Sequence, residues 1–141
     1  MDIPLIEISD QPNPEVERLL GSGLAAFNES ITGYNDRQPL TVLIKDPATQ
    51  QIVGGITGKT TLGMAFLDLF HLPEHLRGSG LGSQLLQAFE NEARRRGCRN
   101  AVLYTLSFQA PGFYEKHGWL KFGEVPCAPD GSSRVFLSKP L

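Results

Sequence analysis

The chain has 141 residues, 40% hydrophobic and 20% charged, with a formal net charge of −2; this is the profile of a single globular domain spanning 1–141. The charge gives no reason to expect nucleic acid or an anionic membrane as partner, and no apolar run approaches the length of a membrane span. Met1-Asp2-Ile3-Pro4 lacks the basic start and apolar core of a signal peptide, and Cys98 and Cys127 form neither a disulfide framework nor a metal-ligand spacing; the expectation is a cytoplasmic protein with free thiols and no metal.

Ile3 to Ile8 alternates weakly and reads as a first strand, ended by Ser9-Asp10. Gln11-Pro12-Asn13-Pro14 punctuates, with Asn13 as a helix N-cap and Pro14 as the first helical residue. From Glu15 to Ser30 and on to Ile31, Val16, Leu19, Leu20, Leu24, Phe27 and Ile31 keep helical spacing. Gly21-Ser22-Gly23 interrupts it, which predicts two short helices or one broken one, with Gly21 as a C-cap or the break as a functional loop. Ser30 to Pro39 has no period and reads as a loop. Leu40 to Lys45 and Gln51 to Gly58 are strands joined by the turn Asp46-Pro47-Ala48-Thr49-Gln50. The Gly54-Gly55 pair predicts a bulge or a close backbone approach. Gly58-Lys59-Thr60 ends like a phosphate loop, but Val53 stands where G-x-x-x-x-G-K-[ST] needs glycine, so Lys59-Thr60-Thr61 is read as hairpin end or strand continuation.

A strand over about Leu62 to Leu72, with the apolar run Met64 to Phe70, leads into Leu72-Pro73-Glu74-His75-Leu76-Arg77-Gly78-Ser79-Gly80-Leu81-Gly82. Beyond it, Leu81, Leu85, Leu86, Phe89 and Ala93 form one apolar face of a helix running to Arg96. Arg94-Arg95-Arg96-Gly97 closes that helix: positive charge in the last turn, then glycine. The chain thus passes from strand through a glycine-rich turn into a helix whose first turn leaves backbone N–H groups unpartnered. Gly78, Gly80 and Gly82 remove the side chains that would cover those groups, and Arg77 adds a positive charge. Such a place suits a phosphate or pyrophosphate. A tight turn alone would need one glycine. The dinucleotide pattern G-x-G-x-x-G fails, because Ser83 or Leu85 falls where its third glycine belongs. The pattern R-x-x-G-x-G is met at every fixed position.

Asn100 to Ser107 reads as a buried strand, parallel to the one before the glycine turn through a right-handed crossover. Ala110-Pro111 opens a short helix, Gly112 to His117, stopped by Gly118. Trp119 to Glu124 and Arg134 to Ser138 are strands around a loop from Val125 to Ser132. The order β, α, β, β, β, α, β, α, β, β predicts a mixed sheet, antiparallel first and parallel around the glycine turn.

The R-x-x-G-x-G turn and the segment Ala110-Pro111-Gly112-Phe113-Tyr114-Glu115-Lys116-His117-Gly118-Trp119 together resemble the GNAT superfamily of acyl-CoA-dependent N-acetyltransferases. The resemblance covers Asp68 to about Phe122. It implies an α/β fold, the GNAT or acyl-CoA N-acyltransferase fold, with a central mixed sheet flanked by helices. It implies acetyl-CoA as cosubstrate, direct attack of an amine on the thioester, and a homodimer through the C-terminal strands, where Trp119, Phe122 and Phe136 would form an apolar patch. For the cofactor it implies backbone pairing of Phe70, His71 and Leu72 with the pantetheine arm, and pyrophosphate binding by Arg77, Gly78, Ser79, Gly80, Leu81 and Gly82. Ser107 stands where many members carry the Asn that contacts the same arm. Tyr114 matches the tyrosine that protonates the leaving thiolate, while Phe113 packs on the sheet.

Asp68 is a carboxylate in an otherwise apolar strand run, which is costly unless it is paired or meets a wet cavity. Two readings stand: a base acting directly or through water, as a glutamate does there in some family members, or an Asp satisfied by backbone or arginine. His71 is a second base candidate, set on the opposite face from Asp68 by strand alternation. His75 and His117 read as exposed. The expected acceptor is a primary amine of a small molecule; the alternatives are a protein lysine or N-terminus, or a non-catalytic CoA-binding regulatory domain. Glu29, Asp36 and Asp130, in the loops at 29–39 and 125–133, would suit a cationic acceptor.

Overall fold

A computed structural model describes residues 2–141; Met1, where the reading for a signal peptide begins, lies outside them. Backbone contacts divide the chain into two units, Met1–Asn35 and Asp36–Leu141.

The first unit contains one helix, α1 (Pro14–Thr32). Asn13 Oδ1 accepts from the backbone N–H groups of Glu15 and Val16 at 3.1 and 3.3 Å, Pro14 opens the first turn, and Gly33 closes the last with φ 85°. The expected break at Gly21-Ser22-Gly23 does not occur. Glycine costs about 1 kcal/mol each against alanine inside a helix, and a long run capped at both ends propagates through that cost. The loop expected there is absent with it. The strand expected over Ile3 to Ile8 is also absent: no ladder forms over residues 2–12. Alternation prepares a strand, but only a neighbouring edge supplies its hydrogen bonds.

The second unit runs β1 (Gln38–Lys45), β2 (Ile52–Thr61), β3 (Met64–His71), a 3₁₀ turn (Glu74–Leu76), α2 (Leu81–Arg95), β4 (Asn100–Leu106), α3 (Pro111–Lys116), β5 (Leu120–Pro126) and β6 (Ser133–Pro140). The expected loop from Ser30 to Pro39 shrinks to 33–37, because α1 reaches Thr32 and β1 starts at Gln38. Lys59-Thr60-Thr61 continues β2. The six strands lie in the order β1-β2-β3-β4-β6-β5. Every neighbouring pair is antiparallel except β3–β4, as the element order predicts.

One core joins α2 to the sheet: Leu85, Leu86, Phe89 and Ala93 share it with Ile56, Ala65, Leu103 and Leu137. Phe89 is fully buried, which contributes about 1.5–3 kcal/mol relative to exposure. The helix ends as its sequence predicts. Gly97, at φ 85°, donates to Arg94 O, and Cys98 N–H reaches back to Ala93 O at 3.0 Å, a Schellman closure with Ala93 and Cys98 both buried.

The expected close approach in β2 is real. A Cβ on Gly55 would lie 2.3 Å from Val42 O, and one on Gly58 would lie 2.2 Å from Phe66 O. The expected bulge is there too: Ile44 pairs with Gly54 and Lys45 with Ile52, so Val53 is an extra residue of β2 against β1. A second bulge belongs to β3: Thr57 pairs with Leu69 and Gly58 with Leu67, so Asp68 is the extra residue.

Candidate active site

β3 and β4 pair over three positions only, Met64 with Asn100, Ala65 with Ala101 and Phe66 with Val102. Both strands then continue, to His71 and Leu106, without pairing to each other. The parting begins at the residue before the bulge pair Leu67 and Leu69. A bulge bends its strand and increases the local twist, so Asp68 accounts for the place where β3 leaves β4. The inner edges of two parallel strands are thus left unpaired with each other at their C-terminal ends, the usual position for a ligand in an open sheet.

The bulge also resets the alternation. Ala65 and Leu67 face the core, and beyond Asp68 it is Phe70 and Leu72 that pack against it. The period that would set Asp68 and His71 on opposite faces therefore does not run through β3. Both residues are exposed. The Asp68 carboxylate forms no hydrogen bond or ion pair among the described residues, so neither backbone nor arginine satisfies it, and its exposure removes the burial cost expected of it.

From β3 the chain enters the 3₁₀ turn, unforeseen from sequence, and then the glycine turn. Arg77 Nε donates to Leu72 O at 2.7 Å, tying the loop to the end of β3 and leaving the two terminal amino groups of the guanidinium. Ser79 Oγ donates to Leu76 O at 3.2 Å. Gly78 and Gly80 have φ of 81° and 83°, and a Cβ on either would meet nothing within 4 Å. Gly82 is different. It is helical, and its Cβ would touch the Phe113 ring at 3.5 Å. Two glycines therefore shape the turn and face open space, and the third lets Phe113 pack against α2. The first helical bond runs from Gln84 N–H to Gly80 O, leaving the amides of Leu81, Gly82 and Ser83 at the open helix end.

α3 packs against the end of β3 through Phe113 and Tyr114, which both meet Phe70. Tyr114 is only 7% exposed and packs edge-on to Phe70, Phe113 and Trp119, with centroids 6.3, 5.3 and 6.0 Å away. Burial pushes its phenol up to about 12, so it is protonated throughout the neutral range. The Phe70 side chain is part of this cluster, with Phe113 at 5.8 Å. His117, expected to be exposed, is half-buried. Its Nδ1 lies 2.9 Å from Phe113 O and its Nε2 lies 2.9 Å from Ser83 Oγ. A carbonyl only accepts, so Nδ1 carries the proton, and the ring links α3 to the first turn of α2. At the end of β4, Ser107 Oγ accepts from Ser133 N–H at 3.0 Å, and Ser107 N–H donates to Ser133 O at 2.8 Å. Ser107 thus ties β4 to β6 and keeps its O–H to donate.

A family model described as the Acetyltransferase (GNAT) family matches residues 6–119. The chain belongs to the GNAT acetyltransferase family. It is 33% identical to an acetyltransferase of Agrobacterium fabrum over 94% of this chain and 96% of that one. It is 35% identical to the blasticidin-S acetyltransferase of Streptomyces morookaense over 64% of this chain and 68% of that one. A solved structure of a protein assigned as an acetyltransferase in Agrobacterium tumefaciens superposes with a TM-score of 0.87 at 31% identity, covering 98% of this chain and all of that one.

This GNAT chain also holds features that no sequence motif signalled. Glu90 on α2 is 4% exposed, accepting from Trp119 Nε1–H at 3.2 Å and from Lys139 Nζ at 2.6 Å. Trp119, read as a strand start and part of a surface patch, is 1% exposed and belongs to the core; Phe122 and Tyr104 remain exposed on either side of Phe136. The helical period of α2 does place position 90 beside Phe89 and Ala93, so a glutamate there was the available signal. Gln109 closes the turn after β4 by accepting from Leu106 N–H and Thr105 Oγ1 at 2.9 and 3.0 Å.

A cavity of about 350 Å³ lies elsewhere, lined by Asp36, Thr60, Arg95, Arg96 and Cys98 among others. These residues cluster at the C-terminal end of α2, about 22 Å along the helix from the glycine turn at 1.5 Å per residue. Burial and then Asp36 raise the Cys98 thiol, against a smaller opposing effect of Arg96, so it is not a poised nucleophile. Both cysteines are free thiols.

Proposed function

We propose that this enzyme transfers an acetyl group from acetyl-CoA to a primary amine of a small molecule, in the cleft between β3 and β4. The carrying observation is that β3 and β4 part after three pairs beside the open N-terminus of α2. The name of the blasticidin-S relative supports a small-molecule acceptor. The family match runs from 6 to 119, across both units, which supports reading 1–141 as one GNAT domain.

The residues present suit the cosubstrate. The glycine turn offers backbone donors and open space, and Arg77 offers a cation, for a pyrophosphate. The unpaired edge of Phe70, His71 and Leu72 can pair with the amides of the pantetheine arm, and the Ser107 hydroxyl can donate to it. Acetyl-CoA, when bound, supplies a thioester whose carbonyl carbon bonds to the amine nitrogen while its C–S bond breaks. Asp68 takes a proton from the amine, directly or through water, and Tyr114 gives one to the departing sulfur. A phenol held near 12 is a weaker acid than a free thiol. The desolvation that raises the phenol also raises the proton affinity of a thiolate beside it, which narrows the difference at the point of transfer. The backbone at the cleft edge supplies positioning and a donor for the oxyanion.

The test is calorimetric titration with acetyl-CoA, comparing wild type with Gly80→Asp, each checked for folding by thermal melt. Wild type should bind, and the carboxylate should abolish binding by occupying the open space and repelling phosphate. Thiol release is then followed on a panel of small primary amines, blasticidin S among them, beside lysine-containing and free N-terminal peptides. Failure of wild type to bind acetyl-CoA, or equal binding by Gly80→Asp, overturns the reading; turnover confined to the peptides overturns the small-molecule acceptor.

A further inference from the structure

α3 has six residues, too few to hold a helix in water by itself, yet it carries Tyr114. A buried polar cluster at its C-terminal end supplies what the helix lacks. Glu90 Oε2 accepts from the Trp119 indole N–H, and Glu90 Oε1 accepts from Lys139 Nζ. Lys139 Nζ also donates to the His117 backbone oxygen at 2.6 Å, one of the carbonyls that a helix end leaves unpaired. Arg94 adds a cation at the rim, 3.6 Å from Glu90 Oε1. Among the described residues no side-chain polar atom is left buried without a partner. One carboxylate therefore joins α2, β6 and the turn between α3 and β5.

Replacing a mostly buried ion pair by apolar residues is often neutral or stabilising, so packing alone does not call for the Glu90–Lys139 pair. What the pair adds is direction. It fixes the plane of the Trp119 ring through its N–H, and that ring packs against Tyr114 at 69°. The Tyr114 hydroxyl has no protein partner among the described residues, so ring contacts alone aim it.

We propose that Glu90 is a positioning residue for Tyr114: with Lys139 it fixes the Trp119 ring and the end of α3, and these aim the phenol. This rests on the assignment of Tyr114 as the acid.

The test is a cycle of variants assayed well below the lowest melting temperature, so that every protein is folded. Thiol release from acetyl-CoA is followed with the panel amine that is turned over, or with water where none is. Glu90→Leu with Lys139→Met removes both charges; kcat should fall about tenfold from misplacement of the acid, with KM for acetyl-CoA within about threefold. Glu90→Gln with Lys139→Met keeps an acceptor for the indole but not the bond to the His117 carbonyl, and should recover part of the lost kcat. In the Tyr114→Phe background the Glu90→Leu, Lys139→Met pair should cost nothing further. Trp119 is the only tryptophan, so its emission reports directly on whether the ring has been freed. If the leucine–methionine variant does not fold, Trp119→Phe, which keeps a ring and deletes the N–H, replaces it in the cycle. Wild-type kcat in the charge-free variant, or an equal loss in the Tyr114→Phe background, overturns the inference alone. An unchanged kcat for Tyr114→Phe by itself overturns the acid assignment and this inference with it.

Discussion

Alanine at Gly80 and alanine at Gly82 should have opposite consequences, and crowding alone predicts them the wrong way round. A Cβ at Gly80 meets nothing within 4 Å, whereas one at Gly82 touches Phe113 at 3.5 Å and Leu72 at 3.8 Å. Crowding would make Gly82 the sensitive position. The backbone says otherwise. Gly80 is at φ 83°, where an L side chain costs about 1–2 kcal/mol. Gly82 lies within α2, its neighbours are at ordinary contact distance, and alanine there gains up to about 1 kcal/mol of helix propensity. For a chain of this length each kcal/mol moves the melting temperature by about 3–4 °C. Gly80→Ala should therefore melt several degrees below wild type and Gly82→Ala at or slightly above it. Acetyl-CoA affinity adds an independent reading. The methyl at Gly82 points at Phe113, so calorimetry should find binding within about threefold of wild type; the methyl at Gly80 enters the open space and should cost about tenfold, or 1.4 kcal/mol. A Gly82→Ala protein that melts below Gly80→Ala, or loses as much affinity, would refute this division of the glycines.

Gly58→Ala should be far more damaging, losing about 2–3 kcal/mol in a denaturant melt, because its Cβ would meet Phe66 O at 2.2 Å across the bulged pairing of β2 and β3. The Tyr114 phenol, pushed up to about 12 by burial, holds its proton more tightly in the folded chain than in the unfolded one. Its contribution to stability is complete below about pH 10 and is lost as pH rises toward 12; denaturant midpoints from pH 9 upward should fall more steeply for wild type than for Tyr114→Phe, and parallel curves would contradict it. Glu92 is held near 2 by hydrogen bonds from Arg95 and then Arg96. Its contribution is present above the ordinary carboxylate range and lost as pH falls toward 2, so Glu92→Gln should lie below wild type at pH 7, by a small margin because the solvent-facing pair is screened, and the two stability curves should converge as pH falls toward 2.

Where local chemistry decides, the sequence and the structure agree. Asn13-Pro14 caps α1, Asp46 turns the β1–β2 hairpin by accepting from Ala48 and Thr49 N–H at 2.8 and 3.0 Å, and Arg94 to Gly97 closes α2. Each of these is settled within four or five residues. The disagreements arise where distant partners decide. Ile3 to Ile8 alternates but finds no edge to pair with. The glycines at 21 and 23 weaken α1 locally and are outweighed by its caps. The bulge at Asp68 depends on the register of β2 against β3, which no single strand records, and it breaks the alternation that predicts opposite faces for Asp68 and His71. Glu90 looks, in sequence, like one more charge on a helix; only the arrival of Lys139 from β6, 49 positions later, makes it a buried ligand.

The candidate site is where three departures from regular structure meet. β3 carries an extra residue at 68, its pairing to β4 ends after Phe66, and the chain then needs two residues of positive φ, Gly78 and Gly80, before α2 can begin. Each departure forgoes hydrogen bonds or conformational freedom that an uninterrupted sheet and a tighter connection would keep. Scattered, they would be isolated weaknesses. Gathered at one end of one strand, they leave a single cleft whose unpaired backbone groups a ligand can satisfy, while the core behind it, from Leu85 to Ala93, stays fully packed. Local rules fail together at this end, which is what a sequence shaped for a site rather than for regular pairing would show. On the α3 side the contacts are complete instead: Glu90 accepts from Trp119 and Lys139, and Lys139 donates to the His117 carbonyl at the end of a six-residue helix.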